Sequence, residues 1–255
     1  MRFLTMSTFA LGVACSACAA LSTPGPPEPT ATQIPPTITV TPTKVWFPAT
    51  ATPTAFSTPV ITPTVESELQ AGAIIFEDDF TDPTLWTLVK ENGSSAALGI
   101  NELTIALSRP KAYLFTLRST PILKDFYLEI TAAPSICMAE DEYGILLRVS
   151  PQLEFYRLAL GCDGSISLDK YFDGKPASPY PKTPSGAVPP GAPSDSRITV
   201  WAQGREMQFY VNGEYQFTLS DPSLPSGSIG LLARSNGENA VTVSFSELIV
   251  RKIIP

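Results

Sequence analysis

The chain has 255 residues, a net charge of −7 and no histidine. The missing histidine excludes Ser-His-Asp and Cys-His catalysis, HExxH metal sites and any His-based zinc centre. The acidic balance, without any Lys/Arg cluster, excludes nucleic acid as a partner, because phosphates demand a basic face.

The opening stretch "MRFLTMSTFALGVACSACAA" (1–20) has Arg2 and then an apolar run from Phe3 to about Ala14. That run is too short to span a bilayer as a helix, and it reads as a secretory signal peptide. The following "GVACSAC" resembles the lipobox of bacterial lipoproteins, in which a cysteine becomes the first mature residue and carries the lipid. The resemblance points to Cys18 for lipidation, with Cys15 as the alternative, although neither has leucine three positions before it. It implies export and a lipid anchor at the outer side of a bacterial membrane, with the rest of the chain facing the exterior. Ordinary cleavage after Ala19 or Ala20 is the other reading.

Residues 21–72 form a Thr/Pro-rich stalk. From Leu21 to Gln70 there are 11 prolines and 13 threonines in 50 positions, and only Glu28, Lys44, Glu66 and Glu68 are charged. Proline favours extended polyproline II conformations, and few large apolar residues are present to collapse the segment. A disordered spacer reaching at most roughly 150 Å is the expectation.

Residues 73–255 read as one all-β domain. Alternating runs fall at 74–80, 102–107, 113–118, 126–133, 143–149, 154–162, 165–171, 197–203, 206–211, 214–219, 228–234 and 241–252. No window of helical length carries a 3.6-residue period. Such a series predicts a two-sheet antiparallel jelly-roll sandwich. Asp163-Gly164 and Asn212-Gly213 suit type I′ hairpins, and the second would place Tyr210 and Tyr215 on one sheet face. The proline-rich stretch 173–196 reads as a long loop, with Tyr180 reaching over the ligand face.

The stretches "YGILLRV…EFYRLALGCDGSISLDKY", "SRITVWAQGREMQFYVNGEYQFTL" and "SGSIGLLARSNGENAVTVSFSELIV", after an opening "FEDDFTDPTLW", resemble the concanavalin A-like lectin/glucanase superfamily. Within it, the likeness is nearest to 3-keto-disaccharide hydrolase-like and laminin-G-like domains, over about residues 74–252. It implies a jelly roll with one concave sheet on which ligands sit in many members. It also implies a glycoside-cleaving activity, but no motif here places that family's active residues. The glucanase ExDxxE pattern is absent, and Glu140, Asp141 and Glu142 are neighbours on one loop.

Strand parity supplies the candidate site. Tyr143, Ile145, Leu147 and Val149 read as core, as do Tyr156, Leu158, Leu160, Ile198, Val200 and Ala202. If the remaining faces coincide, one surface holds Arg148, Arg157, Asp169, Tyr171 and Trp201. Aromatic faces stack on sugar C–H surfaces, and Arg and Asp bind hydroxyls, so this set suits a carbohydrate or cell-wall glycan. The alternative is a structural ion network of Arg148, Arg157, Asp169 and Glu142, with Trp201 under a loop. A structural or protein-binding domain is thus a further reading. Asp78 and Asp79, with Glu77 and Glu247, form a candidate calcium site if the first and last strands adjoin; no other cofactor is expected. Cys137 and Cys162 are an even pair in an exported domain and are assigned a disulfide, which would contribute roughly 3 kcal/mol. This requires the segment from Ser135 to Asp141 to double back. "NGS" at Asn92 reads as an accidental glycosylation match. The chain is read as a monomer.

Overall fold

The computed structural model describes residues 71–254. The signal segment, the candidate lipidation sites Cys18 and Cys15, and the stalk as far as Gln70 lie outside the described residues.

Among the described residues, fifteen strands build two antiparallel sheets. The larger contains β1 (Ala71–Asp78), β2 (Val89–Glu91), β3 (Ser94–Leu98), β4 (Leu103–Leu107), β6 (Phe126–Ile136), β11 (Ser196–Gln203), β12 (Glu206–Val211), β13 (Glu214–Ser220) and β15 (Val241–Ile253). Its order is β13-β12-β11-β6-β15-β4-β3-β2. The smaller contains β5 (Tyr113–Leu123), β7 (Glu142–Val149), β8 (Phe155–Gly161), β9 (Ser165–Phe172), β10 (Lys175–Pro184) and β14 (Gly227–Arg234), in the order β10-β9-β8-β7-β14-β5. The long β15 takes β6 along one edge and, on the other, β4 and then β1. First and last strands therefore adjoin, as expected.

Period-two alternation explains the layering. Leu128, Ile130, Ile198, Val200, Phe209, Val243 and Phe245 face inward from the nine-stranded sheet. They meet Tyr143, Ile145, Leu147, Tyr156, Leu158, Leu160 and Leu231 from the six-stranded one, and all are buried.

The twelve predicted strands are all present, and three more appear. β2 and β3 flank Asn92-Gly93, with φ of 48° and 78°. β9 and β10 flank Asp173-Gly174, with φ of 51° and 68°. Both are two-residue turns with left-handed central residues, as at Asn212-Gly213 (52° and 80°). The first part of the long loop at 173–196 is thus an edge strand, which tolerates Pro176, Pro179, Pro181 and Pro184 because its outer side has no partner. Tyr180 stacks on Phe217, centroids 3.8 Å apart, and packs against the core; it does not reach over a ligand face. Tyr210 and Tyr215 pair edge-to-face at 5.6 Å, as the hairpin predicts.

The turn at Asp163-Gly164 differs from expectation. Leu160 pairs with Ile166, and Gly164 N–H donates to Gly161 C=O at 2.9 Å, so the loop is wider than two residues. Only Gly164 is left-handed (φ 81°), because Asp163 Oδ1 accepts the Ser165 N–H and Cys162 N–H donates to Asp141 C=O. That bond, with Asp141 N–H donating to Met138 C=O, folds the segment after β6 back on itself. The fold-back brings Cys137 to Cys162, Cα atoms 5.7 Å apart, and the predicted disulfide joins the end of β6 to the β8–β9 turn.

Candidate functional site

The outer face of the six-stranded sheet carries a groove of about 750 Å³. Phe155 joins the groove lining to a separate apolar cluster of Leu146, Val149 and Leu232, beside which Phe115 and Leu117 also pack. Gly144 pairs with Ala159, which pairs with Ser167, so across β7, β8 and β9 this row bears only small side chains, and it meets Leu232 on β14. A Cβ at Gly144 would collide with the Leu158 carbonyl.

Arg157 lies across this low row. Its Nε and Nη2 donate to Asp169 Oδ2 at 3.1 and 2.5 Å, and its Nη1 donates to Glu142 Oε2 at 3.2 Å. Asp169 Oδ1 accepts from Ser178 Oγ on β10 at 2.6 Å. Burial lowers the Arg157 pKa, but Asp169 and Glu142 more than offset it, and the net shift is upward. Tyr171 and Phe155 stack with centroids 5.9 Å apart at one end of the groove. Tyr113 and Phe115 lie 5.8 Å apart at the other. Desolvation raises the Tyr113 phenol while Arg157 and Arg234 pull it down, leaving a net rise and a protonated donor at neutral pH.

Three of the five predicted ligand residues, Arg157, Asp169 and Tyr171, therefore line one groove. Two do not. Arg148 is fully buried on the inner side, because a β-bulge interrupts β7. Leu146 pairs with Gly230 but Val149 pairs with Ser228, so Leu147 and Arg148 together oppose Ile229. Arg148 takes a left-handed φ of 51°, and Val149, predicted as core, joins the separate cluster of Leu146 and Leu232 instead. The Arg148 guanidinium donates to the carbonyls of Leu224, Lys124 and Gly204 at 2.9, 3.2 and 2.8 Å. Trp201 stands on β11 of the other sheet, half-buried and directly opposite Tyr127 and Gln208. Its outward parity is correct, but the face belongs to the nine-stranded sheet. The ion network anticipated as the alternative exists for Arg157, Asp169 and Glu142, without Arg148.

The carboxylates named for calcium have other partners. Asp78 is buried, and its carboxylate accepts from Arg118 Nε at 2.7 Å, Trp86 Nε1 at 3.0 Å and Phe80 N–H at 2.9 Å. Asp79 binds Thr81 and Glu247 binds Thr131. Among the described residues, no group of three or more acidic, histidine or cysteine side chains is placed to hold a metal.

Lys170, beside Asp169, also lines the groove, and its ammonium donates to Asp221 at 2.6 Å and Ser223 at 3.2 Å. Burial raises the Asp221 pKa, but Lys170 and Ser223 outweigh it and bring it down to about 2. A depressed carboxylate stabilises the fold above its unfolded pKa, near 3.9, and that contribution is lost as pH falls through the folded value. Urea unfolding of wild type and Asp221→Asn should differ by about 1 kcal/mol near pH 5, after discounting for solvent screening, and converge as pH falls below about 2.

No family model and no protein of curated function matches the sequence. Solved structures do match. The carbohydrate-binding module CBM66 from Bacillus subtilis is 14% identical, with a TM-score of 0.51 over 66% of this chain and 96% of that one. A β-glucanase from Bacillus licheniformis is 12% identical, with a TM-score of 0.53 over 72% and 100%. The catalytic domain of an endo-1,3-β-glucanase (laminarinase) from Thermotoga petrophila is 11% identical, with a TM-score of 0.53 over 71% and 98%. At these identities the likeness is one of fold: the chain folds as a concanavalin A-like jelly roll.

Proposed function

We propose that this protein is a non-catalytic carbohydrate-binding module, held at the outer side of a bacterial membrane by a lipid on Cys18 or Cys15. The observation that carries the binding reading is the groove itself. It offers two aromatic pairs at its ends and an Arg157–Asp169 pair fixed between them. Aromatic faces take sugar C–H surfaces, and a rigid guanidinium–carboxylate pair offers donors and acceptors at set positions.

The acid content of the groove favours binding over cleavage. A glycosidase needs two carboxylates flanking the scissile bond. Asp169 is the only acid among the residues that line this groove, and Arg157 and Ser178 already occupy its oxygens. The lipid anchor rests on the "GVACSAC" pattern, and the mass of the mature N-terminal peptide tests it.

Affinity electrophoresis of the full chain through gels containing polysaccharides tests the binding reading. Tyr171→Ala should weaken retardation about tenfold, the loss of roughly 1.4 kcal/mol, whereas Trp201→Ala should leave it unchanged. A folded protein retarded by no polysaccharide would sink the proposal. Reducing sugar released in the gel would show a hydrolase instead.

A further inference from the structure

The groove is cationic in an acidic protein. Its lining includes Lys111, Arg157, Lys170 and Arg234 but one acid, Asp169, although the chain carries a net charge of −7. The neighbouring carboxylates do not balance this excess. Asp221 is engaged by Lys170. Asp169 is engaged by Arg157. Glu142 is shared by Arg157 at 3.2 Å and Arg234 at 3.6 Å. Three carboxylates thus face four cations. Asp141, close to the same end, spends Oδ1 on the N–H groups of Asn236 and Gly237 and Oδ2 on that of Met138. Glu238, on the β14–β15 turn, does not line the groove.

The surplus sits on a fixed support. Lys111 belongs to the β4–β5 turn, where its own N–H donates to Gly237 C=O at 3.3 Å. Ser235 N–H donates to Ala112 C=O at 2.8 Å. These two bonds tie the β4–β5 turn to the β14–β15 turn. Arg234 and Tyr113 are direct cross-strand partners between them. Among the described residues Lys111 makes no ion pair. The Arg234 side chain is 45% exposed, so both heads are open to a ligand at that end.

We propose that the groove takes an anionic saccharide, one bearing carboxylate or sulfate groups, with its charge seated between Lys111 and Arg234. The sugar ring lies toward Tyr113, and Arg157 supplies a charged donor beside it. This inference rests on the carbohydrate-binding reading and names the ligand class for the same site.

The test compares four polymers by affinity electrophoresis of the full chain: dextran, a neutral β-1,3-glucan, dextran sulfate and polygalacturonate. Dextran and dextran sulfate share a backbone, so their difference reports charge alone. Polygalacturonate separates carboxylate from sulfate recognition. At least one anionic polymer should bind about tenfold more tightly than either neutral one, and its affinity should fall with added salt. Lys111→Gln and Arg234→Gln should each weaken it about tenfold, the scale of one lost charge-assisted hydrogen bond. Lys252→Gln, an exposed cation on β15, should not. Thermal unfolding of each variant checks the fold. Binding to a neutral polymer with no anionic preference overturns the inference and leaves the carbohydrate reading standing. Binding of no polymer by folded protein overturns both. Equal loss with Lys252→Gln would place the effect outside the groove and overturn the inference.

Discussion

Arg148→Met is expected to lower the unfolding free energy by about 3 kcal/mol, although the side chain touches no ligand surface. Methionine keeps most of the aliphatic stem and removes only the guanidinium. That group is the shared donor for three turns: Lys124 between β5 and β6, Gly204 between β11 and β12, and Leu224 between β13 and β14. Without it three carbonyls at one end of the sandwich lose their partner, at about 1–3 kcal/mol each. Relief of the cost of burying a cation offsets part of this, which desolvation reveals as a lowered Arg148 pKa. Urea unfolding should show a lower midpoint with an unchanged slope. A loss under about 1 kcal/mol would mean that water replaces the guanidinium and that Arg148 is not what holds the turns together.

Asp78→Ala should cost about 3–5 kcal/mol, because it strands a buried guanidinium. Arg118 is buried with its charge held by Asp78, and it lies 4.0 Å from the centroid of the Phe76 ring. The same carboxylate takes the indole N–H of Trp86, which packs on Phe80 at 5.5 Å. One aspartate therefore fastens β1, β5 and the segment between β1 and β2. Trp86 fluorescence should shift to the red as its surroundings open. The double variant Asp78→Leu with Arg118→Met should recover most of the loss, because an apolar pair of similar size removes both charges together. A double variant no more stable than Asp78→Ala would show that the cluster acts through its shape rather than its charges.

The fold was legible because alternation reports burial directly. Each of the twelve runs carries its own inward face, and the closing β15 was readable from "VTVSFSELIV" alone. β2, β3 and β10 were missed for a different reason. Their Asn-Gly and Asp-Gly turns are visible, but "NGS" at Asn92 also reads as a glycosylation match, and the prolines after Asp173-Gly174 read as a loop.

The candidate site was half legible for reasons that parity makes plain. Alternation says which residues share a face of one strand, and so Arg157, Asp169 and Tyr171 on adjacent strands came out together. It does not say which sheet a strand joins, and so Trp201 was placed on the wrong layer. Nor does it register a bulge at a residue that is not glycine. The clearest hint at Arg148 lies 79 positions away: a Cβ at Gly227 would collide with the Arg148 backbone. The cationic end of the groove was invisible for the same reason, since Lys111 and Arg234 stand 123 positions apart in the chain.

The outermost strand β10 bears on crowding. A free strand edge is a template on which a second molecule can continue the ladder, and exposed edges seed fibres. Four of the ten residues in β10 are prolines without an N–H, and its register shifts twice along β9. A neighbour drawn alongside would find few donors and no regular spacing. A protein at high local density meets its own copies constantly. With β10 as its flank, copies of this domain can crowd together with little risk of zipping into aggregates along that edge.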